Sequence, residues 1–218
     1  MTVMADRKSA IYTLGQGLVS TAFRLVNPIT RKDLDKLPDT GPVLVCCNHL
    51  SNKDPIVLGG VLHRQLYFMA KEELFHNALV GGVLRGLGAF PVHRGKGDEK
   101  ALDTARELLR EGKVVAIFIE GTRSRDGKLQ QPKSGAAVLA HQMQVPVVPM
   151  CITCRGQQLP KAGQRLIVSC GDPILPCELG IEHEDKSEFR RAARLIMSRI
   201  RALRERDLKD FDHEPTDK

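Results

Sequence analysis

Tryptophan is absent from this 218-residue chain, and the aromatic residues together make up only 4% of it. So sparse an aromatic set offers no platform for stacking bases, which argues against nucleic acid as the natural ligand. Also missing is any run of about twenty mostly apolar residues, the length that a bilayer-spanning helix needs. No signal peptide is visible. The phosphate-cradling pattern GxxxxGK[ST] does not occur. Six cysteines in a chain this long do not make a disulfide framework. Cys151 and Cys154 have CxxC spacing, but no second ligand pair flanks them at zinc-site spacing. The thiols therefore read as buried and reduced, with Cys46 and Cys47 pointing to opposite faces of one strand.

What is present is an ordinary globular composition, 42% hydrophobic and 27% charged, with a formal net charge of +7. Most of that excess lies in the segment from Lys186 to Lys209, with nine Lys or Arg against three acids. A run of this kind reads as a solvated helix face, or as a docking surface for an anionic membrane or an acidic carrier protein. Nucleic acid is the weakest of these partners, because no recognition motif accompanies the charge. Near the N-terminus, Leu14, Leu18, Ala22, Leu25 and Val26 form one stripe of a helix over 11–26, interrupted by Gln16 and Arg24. Such an amphipathic helix either packs on the domain or lies in a lipid interface.

Elements alternate along the rest of the chain. Strands are expected over 43–47, 66–70, 90–93, 114–119, 145–152 and 166–170. Helices are expected over 72–88, 98–111, 134–142 and 187–209. This order argues for an α/β fold with a mixed, largely parallel central sheet flanked by helices. Residues 1–30 read as an N-terminal amphipathic element and 31–218 as one domain ending in the basic helix.

Several strand ends carry reactive or anion-binding groups, the place where α/β sheets hold ligands. His49 and Asp54 follow the first apolar strand. On an ideal helix, five residues separate two side chains by about 140° in direction, so the pair cannot meet on a regular helix face. The two meet only if the Leu50–Lys53 turn folds back, and Asn, Ser and Asp with Pro55 behind them are suited to such a turn. Taken alone, the pair reads either as a surface histidine beside an N-capping aspartate or as an acid–base device. Lys71 follows the second strand. Arg94 follows the third, before the pliable Gly95-Lys96-Gly97. Glu120, Gly121, Thr122 and Arg123 follow the strongest strand, where glycine allows close backbone approach and the guanidinium matches phosphate.

With these residues in place, the chain resembles the glycerolipid acyltransferases that make phosphatidic acid, the 1-acyl-sn-glycerol-3-phosphate acyltransferases. Four blocks occur in the family's order over roughly residues 40 to 155. Asn48-His49 through Asp54 is similar to the catalytic His-x4-Asp block. Gly88 through Arg94 is similar to the second block, which ends in a substrate-binding arginine. Phe118 through Ser124 is similar to the third, which contacts glycerol phosphate. Val145 through Pro149 is similar to the fourth, assigned to the acyl-donor side. Ile119 stands where the family often has Pro, and His93 where it often has an acidic residue.

The resemblance implies a glycerolipid acyltransferase-like fold and an enzyme with His49 as general base and Asp54 holding it. It implies that Lys71, Arg94 and Arg123 bind the acceptor phosphate, beside Gly121 and Thr122. Glu120 would hydrogen-bond a glycerol hydroxyl or orient an arginine, and backbone amides of the Asn48–Asp54 turn would stabilise an oxyanion. No cofactor or metal is implied, only acyl-CoA or acyl-carrier protein as cosubstrate. The partners implied are a lysophospholipid acceptor, an acyl thioester donor and an anionic membrane surface, with no nucleic acid. The place implied is peripheral, on the cytoplasmic side of the membrane. An acyltransferase with another acceptor, such as glycerol 3-phosphate or a lyso-aminolipid, is the alternative enzyme. A catalytically silent lipid-binding protein of the same fold is the alternative outside catalysis.

Overall fold

The computed structural model describes residues 12–17, 27–92, 99–157 and 160–212. The chain begins its sheet with β1 (Ile29–Lys32), β2 (Val43–Cys47), α1 (Asp54–Val61) and β3 (Leu66–Lys71). It continues through α2 (Ala78–Gly86), β4 (Ala89–Val92), α3 (Glu99–Arg110) and β5 (Val114–Phe118). It closes with α4 (Gly135–Met143), β6 (Val147–Cys154), β7 (Leu166–Cys170) and α5 (Lys186–Asp212).

The seven strands lie in the order β1-β7-β6-β2-β5-β3-β4. Every neighbouring pair is parallel except β6 with β7. The sheet is thus mixed and largely parallel, with helices on both faces, as the alternation of elements implies. Strand β1 has no counterpart in the sequence reading. Ile29-Thr30-Arg31-Lys32 is short and half polar, and it becomes a strand by pairing with β7 at the sheet edge. Strand β6 starts two residues later than expected and ends two residues later, carrying Cys151 and Cys154 inside it. Extended backbone through both thiols is incompatible with a CxxC turn.

Two cores fill the two faces. Leu44, Cys46, Val115 and Val147 pack under α3, α4 and α5. Val43, Val45, Cys47 and Val148 pack under α1 with Leu37 and Leu62. Cys46 and Cys47 therefore do part to opposite faces, as strand alternation requires. Helix α5 buries Ala192, Ala193, Ile196, Met197, Ile200 and Leu203, a stripe at helical spacing. It is longer than expected by one residue at its start and three at its end.

The expected helix over 72–88 is broken. A 3-10 turn (Glu72–Phe75) precedes α2, and the Asn77 side chain caps α2 by accepting from Leu79 N at 3.0 Å and Val80 N at 3.1 Å. Gly88 then turns the chain into β4 at φ +86, where an added Cβ would stand 2.2 Å from the Leu66 carbonyl oxygen. Only glycine fits so close an approach.

The sheet does not stay closed along its whole length. β3 pairs with β5 over Leu66–Phe68 opposite Val114–Ala116 and no further. Beyond that rung β5 continues beside β2 as far as Cys47 opposite Phe118, while β3 continues beside β4 as far as Lys71 opposite Val92. The two halves diverge at their carboxyl ends.

Residues 12–17 are helical and pack on the domain. Tyr12 is buried, and its hydroxyl accepts from Leu66 N at 3.1 Å. Gln16 donates to the carbonyls of Gly59 and Leu62 at 2.6 and 2.9 Å. Of the expected amphipathic stripe, Leu14 points outward, and Leu18, Ala22, Leu25 and Val26 lie outside the described residues. Among the described residues no helix is long and apolar enough to cross a membrane.

Candidate active site

A cleft of about 1180 Å³ enters the sheet where β3 and β5 part. Its walls come from Phe68, Met69, Ala70 and Lys71 on one side and Ala116, Ile117 and Phe118 on the other. His49 lies on this wall, 8% exposed, with its ring stacked on Phe118 at 4.0 Å between centroids and 16° between planes.

The chain between His49 and Asp54 folds back as the pairing requires. Lys53 N donates to Ser51 Oγ at 3.1 Å, and Asp54 N donates to Ser51 O at 3.1 Å. Asp54 is the first residue of α1 rather than the cap before it. Its carboxylate turns away from the helix to hold the preceding turn. The Oδ2 atom accepts from Leu50 N at 2.6 Å, from Ser51 N at 2.8 Å and from the His49 ring at 2.7 Å. An oxygen already accepting two amide protons is an acceptor for the ring as well, so His49 Nδ1 carries the proton. Nε2 is then the basic nitrogen, which is what a general base needs.

Asn48 anchors the turn from behind. Its amide accepts from Ile152 N at 2.9 Å and donates to Ile152 O at 3.0 Å, copying a ladder rung across to β6. The carbonyl of His49 accepts from Ser124 N at 2.8 Å, which ties the loop after β5 to the same point. Within the Leu50–Asp54 turn, the amides of Leu50, Ser51, Lys53 and Asp54 are all engaged. Between them Asn52 lines the cleft.

Lys71, Gly121, Thr122 and Arg123 all line the cleft. Lys133 joins them, unforeseen from the sequence: it sits in a loop before α4, and no strand-end pattern points to it. Its stem packs over Gly121, at 3.2 Å from where a Cβ would stand. Lys71, Arg123 and Lys133 make no ion pair among the described residues, so three cations face the cleft unneutralised. Arg94, expected to complete the phosphate site, lies outside the described residues; β4 ends at Val92. None of Val145–Pro149 lines the cleft, because β6 lies on the far side of β2 from the gap between β5 and β3, with Val147 paired to Leu44 near the amino end of β2.

Glu120 departs from the expectation of direct acceptor contact. It is 2% exposed and does not line the cleft; it lies behind Gly121. Burial pushes its carboxyl up to about 7, while the His49 and Gln130 amides and the Arg204 charge pull the other way. Those amides approach without forming a well-directed bond, and both carboxyl oxygens lack a partner of good geometry. Neither carboxyl oxygen reaches an arginine within hydrogen-bond distance. Arg204, buried in α5, donates to the Gly127 carbonyl of the same loop.

A carboxyl that holds its proton more tightly folded than unfolded makes stability fall as pH rises. The window runs from about 4.5, the ordinary value, to about 7. Glu120→Gln removes that slope, on the order of 2–3 kcal/mol across the window. Urea midpoints at pH 5 and pH 8 should therefore differ more for the native chain than for the variant. Equal differences would refute the buried proton.

No cysteine lines the cleft. Five of the six are buried, and burial pushes Cys46 and Cys151 up to about 12, far from a reactive thiolate. No cluster of three or more His, Cys, Asp or Glu suited to a metal ion occurs among the described residues.

A buried His–Asp pair thus stands where a mixed, largely parallel sheet divides, with cations at the rim of the cleft. The chain belongs to the Acyltransferase family, whose model matches residues 28–153. It is 36% identical over 144 residues to the 1-acyl-sn-glycerol-3-phosphate acyltransferase of Bacillus subtilis, covering 64% of this chain and 70% of that protein. It is 34% identical over 122 residues to the human 1-acyl-sn-glycerol-3-phosphate acyltransferase beta, covering 55% of this chain and 44% of that protein. A match to the probable enzyme of that name from Mycoplasma genitalium likewise spans only 46% of the relative, at 34% identity over 125 residues and 54% of this chain. The crystal structure of the 1-acyl-sn-glycerophosphate (LPA) acyltransferase PlsC from Thermotoga maritima shares the fold. It superposes with a TM-score of 0.71 at 23% identity, over 94% of this chain and 81% of that one.

Proposed function

We propose that this protein transfers an acyl group from an acyl thioester to the sn-2 hydroxyl of lysophosphatidic acid, giving phosphatidic acid. The observation that carries the reading is the 2.7 Å contact of His49 Nδ1 with Asp54 Oδ2 on the wall of a cation-rimmed, largely apolar cleft. His49 Nε2 takes the hydroxyl proton as the oxygen attacks the thioester carbonyl. The C–S bond then breaks, and the imidazolium returns its proton to the departing thiolate. Asp54 supports the imidazolium between those steps, and such base catalysis is worth about 10²–10⁴-fold. In this reading the backbone amide of Asn52, a residue of the cleft lining, donates to the carbonyl oxygen as it gains charge.

Lys71 and Arg123 hold the acceptor phosphate, with Lys133 beside them and Arg94 joining on the strength of the sequence resemblance. Charge-assisted bonds of this kind are worth about 1.5–3 kcal/mol each. Lys71→Ala and Arg123→Ala should each raise KM for lysophosphatidic acid roughly tenfold, with a smaller change in kcat. A KM unchanged in both variants would remove the phosphate from this rim.

The deciding assay supplies radiolabelled lysophosphatidic acid, glycerol 3-phosphate and a lyso-aminolipid in turn, with acyl-CoA or acyl-carrier protein as donor. Labelled phosphatidic acid from the first acceptor, and none with His49→Ala, supports the reading. Equal product from both proteins would refute it. The exposed arginines of α5, Arg190, Arg191 and Arg194 among them, suit an acidic carrier protein. Salt should then raise the donor KM, and less so once those arginines are replaced. The enzyme acts as a peripheral protein on the cytoplasmic side of the membrane that holds its acceptor and product.

A further inference from the structure

Helix α2 departs from the rule that a surface helix turns polar side chains to water. It reads Ala-Leu-Val-Gly-Gly-Val-Leu-Arg-Gly, with Arg85 its one charge. Gly81 is buried against the backbone of Phe75, and Leu84 faces the cleft. On the outer side, Leu79, Val80 and Val83 are 83%, 48% and 58% exposed. Their spacing puts Val83 one turn from both Leu79 and Val80, so the three form one face. Leu74, 49% exposed, carries this apolar surface over the lip and into the cleft, whose wall it also forms. Leu14, on the helical segment beside Leu87, is exposed as well.

Scattered exposed aliphatic residues are ordinary; a continuous face leading into a cavity marks an interaction site. The charges around it select the occupant. Arg85 lies over the Phe75 ring at 5.3 Å, and Lys71, Arg123 and Lys133 stand at the cleft mouth, against the acids Glu72 and Glu73. Anionic headgroups would neutralise these cations while the aliphatic side chains enter the acyl boundary.

We propose that the outer face of α2, with Leu79, Val80 and Val83 at its centre, docks on an anionic bilayer so that the cleft opens into the lipid interface. The choice of a lipid partner rests on the acyl-transfer reading; the docking face rests on α2 itself. An acceptor with its tail in the leaflet then reaches His49 by sliding along Leu74 rather than by leaving the membrane.

The chain's lack of tryptophan makes the test clean, because Leu79→Trp places the only indole in the molecule at the centre of the face. With vesicles of phosphatidylglycerol and phosphatidylcholine in equal parts, its emission should move to shorter wavelength and be quenched by brominated acyl chains. Phosphatidylcholine alone should give a weaker response. Emission unmoved by anionic vesicles would overturn the proposal. So would an indole already shielded from acrylamide before lipid is added, since the face would then be covered by the chain or by a second copy.

The triple variant Leu79→Ser, Val80→Ser, Val83→Ser touches no cleft-lining residue. It should lower vesicle partition about tenfold or more. It should leave kcat on a short-chain, freely soluble acceptor within about twofold. Partition equal to that of the native chain would also refute docking. Partition is read without turnover: a failed acyl-transfer reading appears as no product from any acceptor, and the partition result still decides the docking face.

Discussion

Replacing His49 by Ala should lower acyl transfer at saturating substrates by about 10²–10⁴-fold while the protein stays folded. Fold and chemistry separate here because the ring contributes little to packing beyond its stack on Phe118 at 4.0 Å, an interaction of about 1 kcal/mol. Asp54 keeps its bonds from Leu50 and Ser51 in that variant, so the turn survives. Asp54→Ala behaves differently. It removes the acceptor of three bonds at once, two of them buried and two of them holding the turn that places His49. Its activity should fall as far as that of the histidine variant, with about 2–4 kcal/mol of stability lost besides. The double variant should be no slower than the worse single one, since the pair acts as a unit. Losses that multiply would mean that His49 and Asp54 serve separate steps.

The largest effect on stability is expected far from the cleft. Asp207 of α5 is fully buried, and its carboxylate gathers groups from three strands. Ser169 on β7 donates to it at 2.6 Å, Thr153 on β6 at 3.1 Å and Lys32 on β1 at 3.2 Å. A buried charge is tolerable only with such partners, and breaking the set leaves them stranded. Asp207→Ala should cost about 3–5 kcal/mol in denaturant unfolding, a large share of a domain's total stability. Lys32 keeps Asp210 as a second partner, so most of the loss falls on the hydroxyls of Ser169 and Thr153. Adding Ser169→Ala to that variant should cost less than it does in the native chain. Activity per folded molecule should be unchanged, since Asp207 does not line the cleft. Strict additivity of the two substitutions would show that the carboxylate does not serve Ser169.

The sequence made the sheet legible where side-chain pattern alone dictates structure. The apolar runs at Val43 and Val114 became central strands because nothing but burial on both faces suits them. Strand β1 escaped notice because its order comes from β7, a partner more than a hundred residues away. His49 and Asp54 are legible as a conditional: their spacing states what the turn must do, and the folded chain does it with Ser51 and two amides. Glu120 was misplaced for a related reason. A carboxyl at a strand end is visible in sequence, but whether it faces the ligand or lies behind the strand depends on the pleat and on Arg204, far along the chain. Lys133 left no signal, because it reaches the cleft by arching over Gly121, whose missing side chain makes the room.

The parting of β3 from β5 has a consequence for how the cleft is walled. The unit running from β3 through α2 to β4 joins the other five strands through only three paired residues, Leu66 to Phe68. Past that rung it forms one wall of the cleft, with Phe68 to Lys71 on its inner surface and Leu79, Val80 and Val83 on its outer one. The inside and the outside of this wall are thus built by one short stretch of chain, so a single segment carries both the surface that faces the cleft and the one that faces away from it.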